Sequence, residues 1–272
     1  MPDIAQSLLN IHLFDELAHR KNSINSLHPL VKLIVTGAFL VFVVSFGKHD
    51  VTRLLPFAVY PVFILSLADI PLKPLFSKML VAVPFIFGIG IFNLIFDTDI
   101  IMYIYKVPIT SGGAAFIALF VKCVLTVLAA LLLIATTGMD NIIRSFRILH
   151  IPKIFVIQIM LMYRYISVLL EEASRIWNAY RMRAPGQKGI KFSLWGPLAG
   201  QMLIRTYERA QRVYQAMLLR GFNGEYTGNA IKKAGVLDCL YCAAWILFFA
   251  IARYYDIPSA IGKLVTQPFD LF

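Results

Sequence analysis

Residues 114–137 read AAFIALFVKCVLTVLAALLLIATT, with Lys122 as the single charge. A run of this length and apolarity matches the ~20 residues an α-helix needs to cross a bilayer. It lacks the alternation of a barrel strand, and in lipid every backbone polar group must be satisfied within the segment, so the run reads as a transmembrane helix. Four more runs of similar character lie at 30–46, 51–68, 79–96 and 234–251. The fold class that follows is an all-α integral membrane protein with about five transmembrane helices. Pro56, Pro61 and Pro84 fall inside these runs and are expected to kink them. Composition agrees: 59% of the 272 residues are hydrophobic and 15% charged, too apolar for an ordinary soluble domain.

The charge is concentrated. The chain carries a net +11, and residues 141–233 hold fifteen Lys/Arg against four acids, which accounts for all of the excess. Cationic loops face the cytoplasm, so the block is expected there, in a multi-pass protein of the cell membrane. A soluble nucleic-acid binder would not also carry five apolar spans, so nucleic acid is not an expected partner. With the block inside, the loop at 97–113, with Asp97, Asp99 and only Lys106, lies outside, while Arg20, Lys21, Lys32, Lys73 and Lys78 lie inside. Lys48 and Arg53, on the outer side, fit this topology poorly.

Within the basic block uniform apolarity gives way to helical amphipathicity, giving two to three amphipathic helices. Asp140 is placed to cap a short helix to Leu149, and Pro152 to open a long helix from about Lys153 to Arg183. The sequence Ala184-Pro185-Gly186 breaks that helix. Ser193 is positioned to cap the next, with Pro197 in its first turn. There Leu198, Met202, Thr206, Ala210, Val213 and Met217 form an apolar stripe, and Arg205, Glu208, Arg209 and Arg212 the opposite face. Both long helices end on arginine followed by small residues, Met182-Arg183-Ala184 and Leu219-Arg220-Gly221. Cations favour helix C-termini and glycine the position beyond, so either ending alone is an ordinary cap. Two on consecutive helices offer a pair of planar guanidinium forks, each suited to carboxylate or carbonyl groups in a partner groove.

Catalytic patterns are missing. There is no Walker lysine loop, His-Glu-x-x-His helix or Gly-x-Ser-x-Gly elbow. Cys123, Cys239 and Cys242 lie in apolar runs and do not suggest a disulfide framework or metal cage, although Cys239 and Cys242 have redox-motif spacing. His12, His19, His28, His49 and His150 are scattered, without a carboxylate or thiol partner at ligand separation. No cleaved signal peptide is expected at the N-terminus. Lys122 and Asn93, polar groups at depth in two spans, are candidate contacts to another membrane subunit; interior pairing of Lys122 with a carbonyl is the alternative.

The segment Val213-Tyr214-Gln215-Ala216-Met217-Leu218-Leu219-Arg220-Gly221-Phe222 resembles the second signature of the transmembrane T subunit of energy-coupling factor (ECF) transporters, the CbiQ/EcfT family. Met182-Arg183-Ala184 stands at the first signature, usually Ala-Arg-Gly or Ala-Arg-Ser, and keeps its arginine. The opening from Ile24 to Leu33, with Pro29 and Lys32, is similar to the family's N-terminal stretch. The resemblance implies a non-catalytic coupling subunit linking two cytoplasmic ABC ATPases to a substrate-binding membrane subunit, with Gln215-Ala216-Met217 pointing to the cobalt-type subgroup. It further implies that Met182, Arg183, Ala184, Leu219, Arg220 and Gly221 form the ATPase-coupling site. This chain would hold no metal or cofactor, and ATP and Mg would bind the ATPases. The expected domains are 1–139 with four spans, 140–233 as a cytoplasmic coupling domain, and 234–272 with the last span and tail. A stand-alone membrane protein whose basic helices lie on anionic lipid is the alternative.

Overall fold

The computed structural model describes residues 17–18, 22, 24–47, 50–96, 100–104, 107–187, 189–224 and 235–255. The chain divides into two compact units, one formed by Glu16–Ile142 with Lys232–Phe272 and the other containing Ile143–Ile231. The first is an apolar helical unit. Its helix α1 (Pro29–Val44) starts where the His28 ring nitrogen accepts from the Leu30 amide, with Pro29 preorganised at the first helical position. The second span starts as α2 (Val51–Leu54), tightens into a 3₁₀ turn around Pro56 at Leu55–Ala58, and continues as α3 (Val59–Ala68). Asp69, in the left-handed region at φ 48°, ends it.

Helices α4 (Leu72–Met79) and α5 (Val83–Phe96) form a pair bent by 40°. Pro84 sits in the first turn of α5, so it opens a new helix after the break at residues 80–82 instead of kinking a continuous one. The segment read from sequence as an outer loop contains an antiparallel hairpin, β1 (Ile100–Ile104) with β2 (Val107–Thr110). Ile104 pairs with Val107 and Ile100 with Thr110, with an irregularity between Ile100 and Met102. Its β-branched and aromatic residues favour pairing over an open loop, and the hairpin is the only β element among the described residues. Asp97, Asp99 and Lys106 lie outside the described residues.

The longest span is α6 (Ser111–Thr137). Gly138, at φ 75°, separates it from α7 (Met139–Ile148), in which Asp140 is a first-turn residue and not the cap expected from sequence. α7 stops before His150, at φ 60°, and the Ile151-Pro152 pair. The last helix of this unit is α10 (Val236–Tyr254). Phe39, Phe57, Tyr60 and Phe249, from α1, the 3₁₀ turn, α3 and α10, are almost fully buried and stack with centroids 4.8 to 6.1 Å apart. Trp245 closes edge-on against Tyr60 at 4.9 Å. Inside this cluster the Thr36 and Tyr60 hydroxyls satisfy each other at 2.8 Å, removing what would be a costly pair of orphan groups in an apolar core.

The second unit is dominated by α8 (Lys153–Arg183) and α9 (Phe192–Leu219). Pro152 precedes α8 as expected, and α8 ends on Arg183. α9 begins a residue before Ser193, with no side-chain cap, and Pro197 falls one turn deeper than the first. Among the described residues four helical segments are long and apolar enough to cross a membrane: Val51–Ala68, Ser111–Thr137, Lys153–Arg183 and Val236–Tyr254, with the bent pair as a possible fifth. The membership differs from the sequence reading. α1, at 16 residues, is short for a span, whereas α8 qualifies by length and composition. The fold class stands as an all-α multi-pass membrane protein.

Candidate coupling interface

The two arginine-bearing helix ends are built differently. After Arg183 the chain makes a four-residue turn, Ala184-Pro185-Gly186-Gln187, closed by the Gln187 amide donating to the Ala184 carbonyl at 3.4 Å. Pro185 at the second position and Gly186 at φ 89° in the third make it a type II turn, in which the third residue must tolerate positive φ. The Tyr180 hydroxyl pairs with the Gln187 side-chain oxygen at 2.8 Å and ties the turn to the last turn of α8. Arg183 is therefore the last helical residue before a locked reversal.

At the second end, Gly221 at φ 78° donates to the Leu218 carbonyl at 2.9 Å, and Phe222 donates to Met217 at 3.0 Å. These two bonds define a Schellman motif, which satisfies otherwise orphan carbonyls and needs a residue free to enter the left-handed region. Arg220 is the C-cap residue just before that glycine. Both arginines are exposed, and among the described residues neither guanidinium makes a hydrogen bond or ion pair. The side chains preceding them are also out in the open, Met182 at 78% and Leu219 at 90% exposure. Each end thus presents one large apolar side chain beside a guanidinium without a partner among the described residues, with Pro185-Gly186 and Gly221 supplying the backbone reversals and Ala184 as the C-cap of α8.

Three other arginines of the unit are engaged within it. Arg205 of α9 reaches Glu172 of α8 at 2.6 Å, Arg175 lies 3.6 Å from Glu171, and Arg212 lies 3.7 Å from Glu208. The Arg205 to Glu172 contact links the two helices. Between them lies an apolar groove of about 680 Å³, with Leu161, Tyr165 and Val168 on one wall and Thr206, Ala210, Val213 and Met217 on the other. These four residues of α9 belong to the six-residue stripe read from sequence, whose other two members, Leu198 and Met202, do not line the groove. No residue of α9 is buried.

The remaining candidates sit in the membrane unit. Lys122, in α6, donates to the carbonyls of Phe46 at 2.6 Å and Gly47 at 3.2 Å, just past the end of α1. This is the interior pairing that an ammonium at such depth requires. Arg253 of α10 binds the same corner through the Ser45 carbonyl at 3.2 Å and lies 4.3 Å over the Phe46 ring. Asn93 is on α5, with its side chain outside the described portion. Among the described residues no three His, Cys, Asp or Glu side chains come together as a metal site.

Sequence reasoning passed over one cluster. Lys32 is 4% exposed, and its ammonium donates to the Thr136 carbonyl at 3.0 Å and the Asn25 carbonyl at 3.5 Å. Asp238 accepts from the His28 amide and the Gly235 amide, both at 2.8 Å, and attracts the Lys32 charge. A lysine at the start of an apolar run is a visible signal, which the sequence reading assigns to topology and to the family-like opening but not to a buried cluster.

The fold and the basic helix pair define a multi-pass membrane protein. Residues 20–229 match the cobalt transport protein family CbiQ, and the chain belongs to that family. It is 28% identical over 244 residues to an uncharacterized protein of Methanocaldococcus jannaschii, covering 86% of this chain and 90% of that one. It is 26% identical to the energy-coupling factor transporter transmembrane protein EcfT of Listeria innocua, over 74% of this chain and 81% of that one. It also matches the nickel permease LarQ of Lactiplantibacillus plantarum, 26% identical over 42% of this chain and 43% of that one.

Proposed function

We propose that this protein is the non-catalytic coupling subunit of an ATP-driven ECF-type uptake transporter. The observation that carries the reading is the pair of exposed arginines Arg183 and Arg220, whose guanidinium groups have no partner among the described residues and which are each fixed by a reversal built on a positive-φ glycine. They bracket α9, whose 28 residues at 1.5 Å rise separate them by roughly 40 Å. That spacing suits two copies of a partner better than one, so Arg183 and Arg220 each anchor one cytoplasmic ABC ATPase, with Met182 and Leu219 as the neighbouring apolar contacts. Gly186 and Gly221 hold the reversals, with Ala184 as the C-cap beside Arg183. ATP and Mg belong to the ATPases, and the basic unit faces the cytoplasm.

The transported substrate is a divalent transition-metal cation, with cobalt the first candidate from the family and nickel the second from the permease relative. The metal is bound by a separate membrane subunit, for which Asn93 is a lesser contact candidate, while Lys122 is engaged by the Phe46 and Gly47 carbonyls. The test is reconstitution in liposomes of this chain with its ATPases and a metal-binding membrane subunit, followed by ATP-dependent uptake of Co²⁺ and Ni²⁺. Uptake that requires this chain supports the proposal. Equal uptake without it sinks the proposal. The second reading, contact of the basic helices with anionic lipid, is favoured by the apolarity of α8. It expects neutralisation of any few cations of the block to weaken membrane contact equally, with no special role for Arg183 and Arg220.

A further inference from the structure

The buried Lys32 cluster collects two passages of the chain between the units. The chain leaves the membrane unit through the end of α6, Gly138 and α7, and returns shortly before α10. Thr136, whose carbonyl Lys32 binds, lies in the last turn of α6, two residues before Gly138 at φ 75°. Asp238, at the return, lies in the first turn of α10 and grips the amide of His28, the residue that opens α1. Both charges suit their places. A cation at a helix C-terminus and a carboxylate at a helix N-terminus each complement the helix dipole. In such a buried position an ammonium bonded to backbone carbonyls resists replacement by a neutral side chain, because the carbonyls would lose their partner.

We propose that Lys32 is a positioning residue for coupling: with Asp238 it binds the exit at α6 and the return at α10 to the root of α1, so that both connections of the basic unit move together with the membrane unit. Displacement that reaches these two connections is then delivered to α1 as well as to α6 and α10. This rests on the coupling reading above. The same end of α1 has no second cation among the described residues that could substitute; Lys122 and Arg253 grip its far end.

The experiment uses the full complex in liposomes and measures ATPase retention, ATP hydrolysis and metal uptake in parallel for Lys32→Met, Asp238→Asn and Arg220→Glu. Lys32→Met and Asp238→Asn keep the ATPases and hydrolyse ATP, but metal moved per ATP falls at least about fivefold, the lower end of coupling factors between linked sites. An unchanged ratio in both variants overturns the inference. If Lys32→Met does not fold, Asp238→Asn decides alone, since it keeps the side-chain size while removing the charge and one of the two acceptor oxygens. Arg220→Glu separates the two readings. Should it retain the ATPases fully, the coupling interface is wrong; should it release them while the Lys32 and Asp238 variants transport normally, only the role of Lys32 falls.

Discussion

Gly221→Ala isolates the contribution of a fixed helix end to partner binding. At φ 78° glycine carries no penalty, whereas an L-residue in the left-handed region costs about 1–2 kcal/mol. A Cβ built on Gly221 meets nothing within 4 Å, so no steric term adds to that cost. The alanine variant therefore frays the Schellman turn or shifts it, and Arg220 spends less time where the partner needs it. A penalty of 1–2 kcal/mol corresponds to about a 5- to 30-fold loss in ATPase affinity. Gly221→Asn should lose less, since asparagine enters this region more readily. Gly200→Ala is the internal control: it lies inside α9 with open space around its Cβ, and there alanine favours the helix by about 1 kcal/mol. Titration of the purified ATPase onto immobilised detergent-solubilised protein gives the affinities, and helical melting followed by circular dichroism gives the stabilities. If Gly221→Ala binds as tightly as wild type while Arg220→Glu does not, a fixed helix end is not what presents the arginine.

Other consequences can be checked independently. Lys122→Met should lower the melting temperature, because the Phe46 and Gly47 carbonyls lose their donor, and should leave co-purification of the substrate subunit unchanged; loss of that subunit would make Lys122 an intersubunit contact. Tyr60→Phe strands the buried Thr36 hydroxyl and should destabilise by about 1 kcal/mol in thermal melts, with no effect on ATPase binding. A Glu172→Gln and Arg205→Met double-mutant cycle should give a coupling energy below about 1 kcal/mol that shrinks with salt, since the pair is partly solvated; a salt-independent value would be inconsistent with an exposed bridge.

Much of this architecture could be read from residue order. Apolar runs located three of the spans within a few residues, since hydropathy and the ~20-residue length requirement act locally, but α1 proved short for a span and α8, amphipathic in sequence, was not among the runs. Pro152, Pro185 and Gly221 marked helix ends because their backbone constraints are intrinsic to the residue. Capping side chains were less legible. Asp140 and Ser193 have the right chemistry for N-caps, but Gly138 and Lys191 set the actual starts, so the choice among neighbouring residues was made by the surrounding chain. The break before Pro84 shows the same limit, as proline is compatible both with a kink and with a first turn. The hairpin at 100–110 was hidden because its apolar residues carry little alternation. Contacts across long sequence separation, such as Lys32 with Thr136 and His28 with Asp238, had no local signature at all.

The central claim is that Arg183 and Arg220 together anchor the ATPases, and it is tested most directly by detergent co-purification at matched expression and monodispersity. Wild type, Arg183→Glu, Arg220→Glu and the double variant are compared, with helical content measured on each. The account predicts reduced ATPase recovery in each single variant and none in the double, all with wild-type helicity. Full recovery of ATPase by the folded double variant would contradict it.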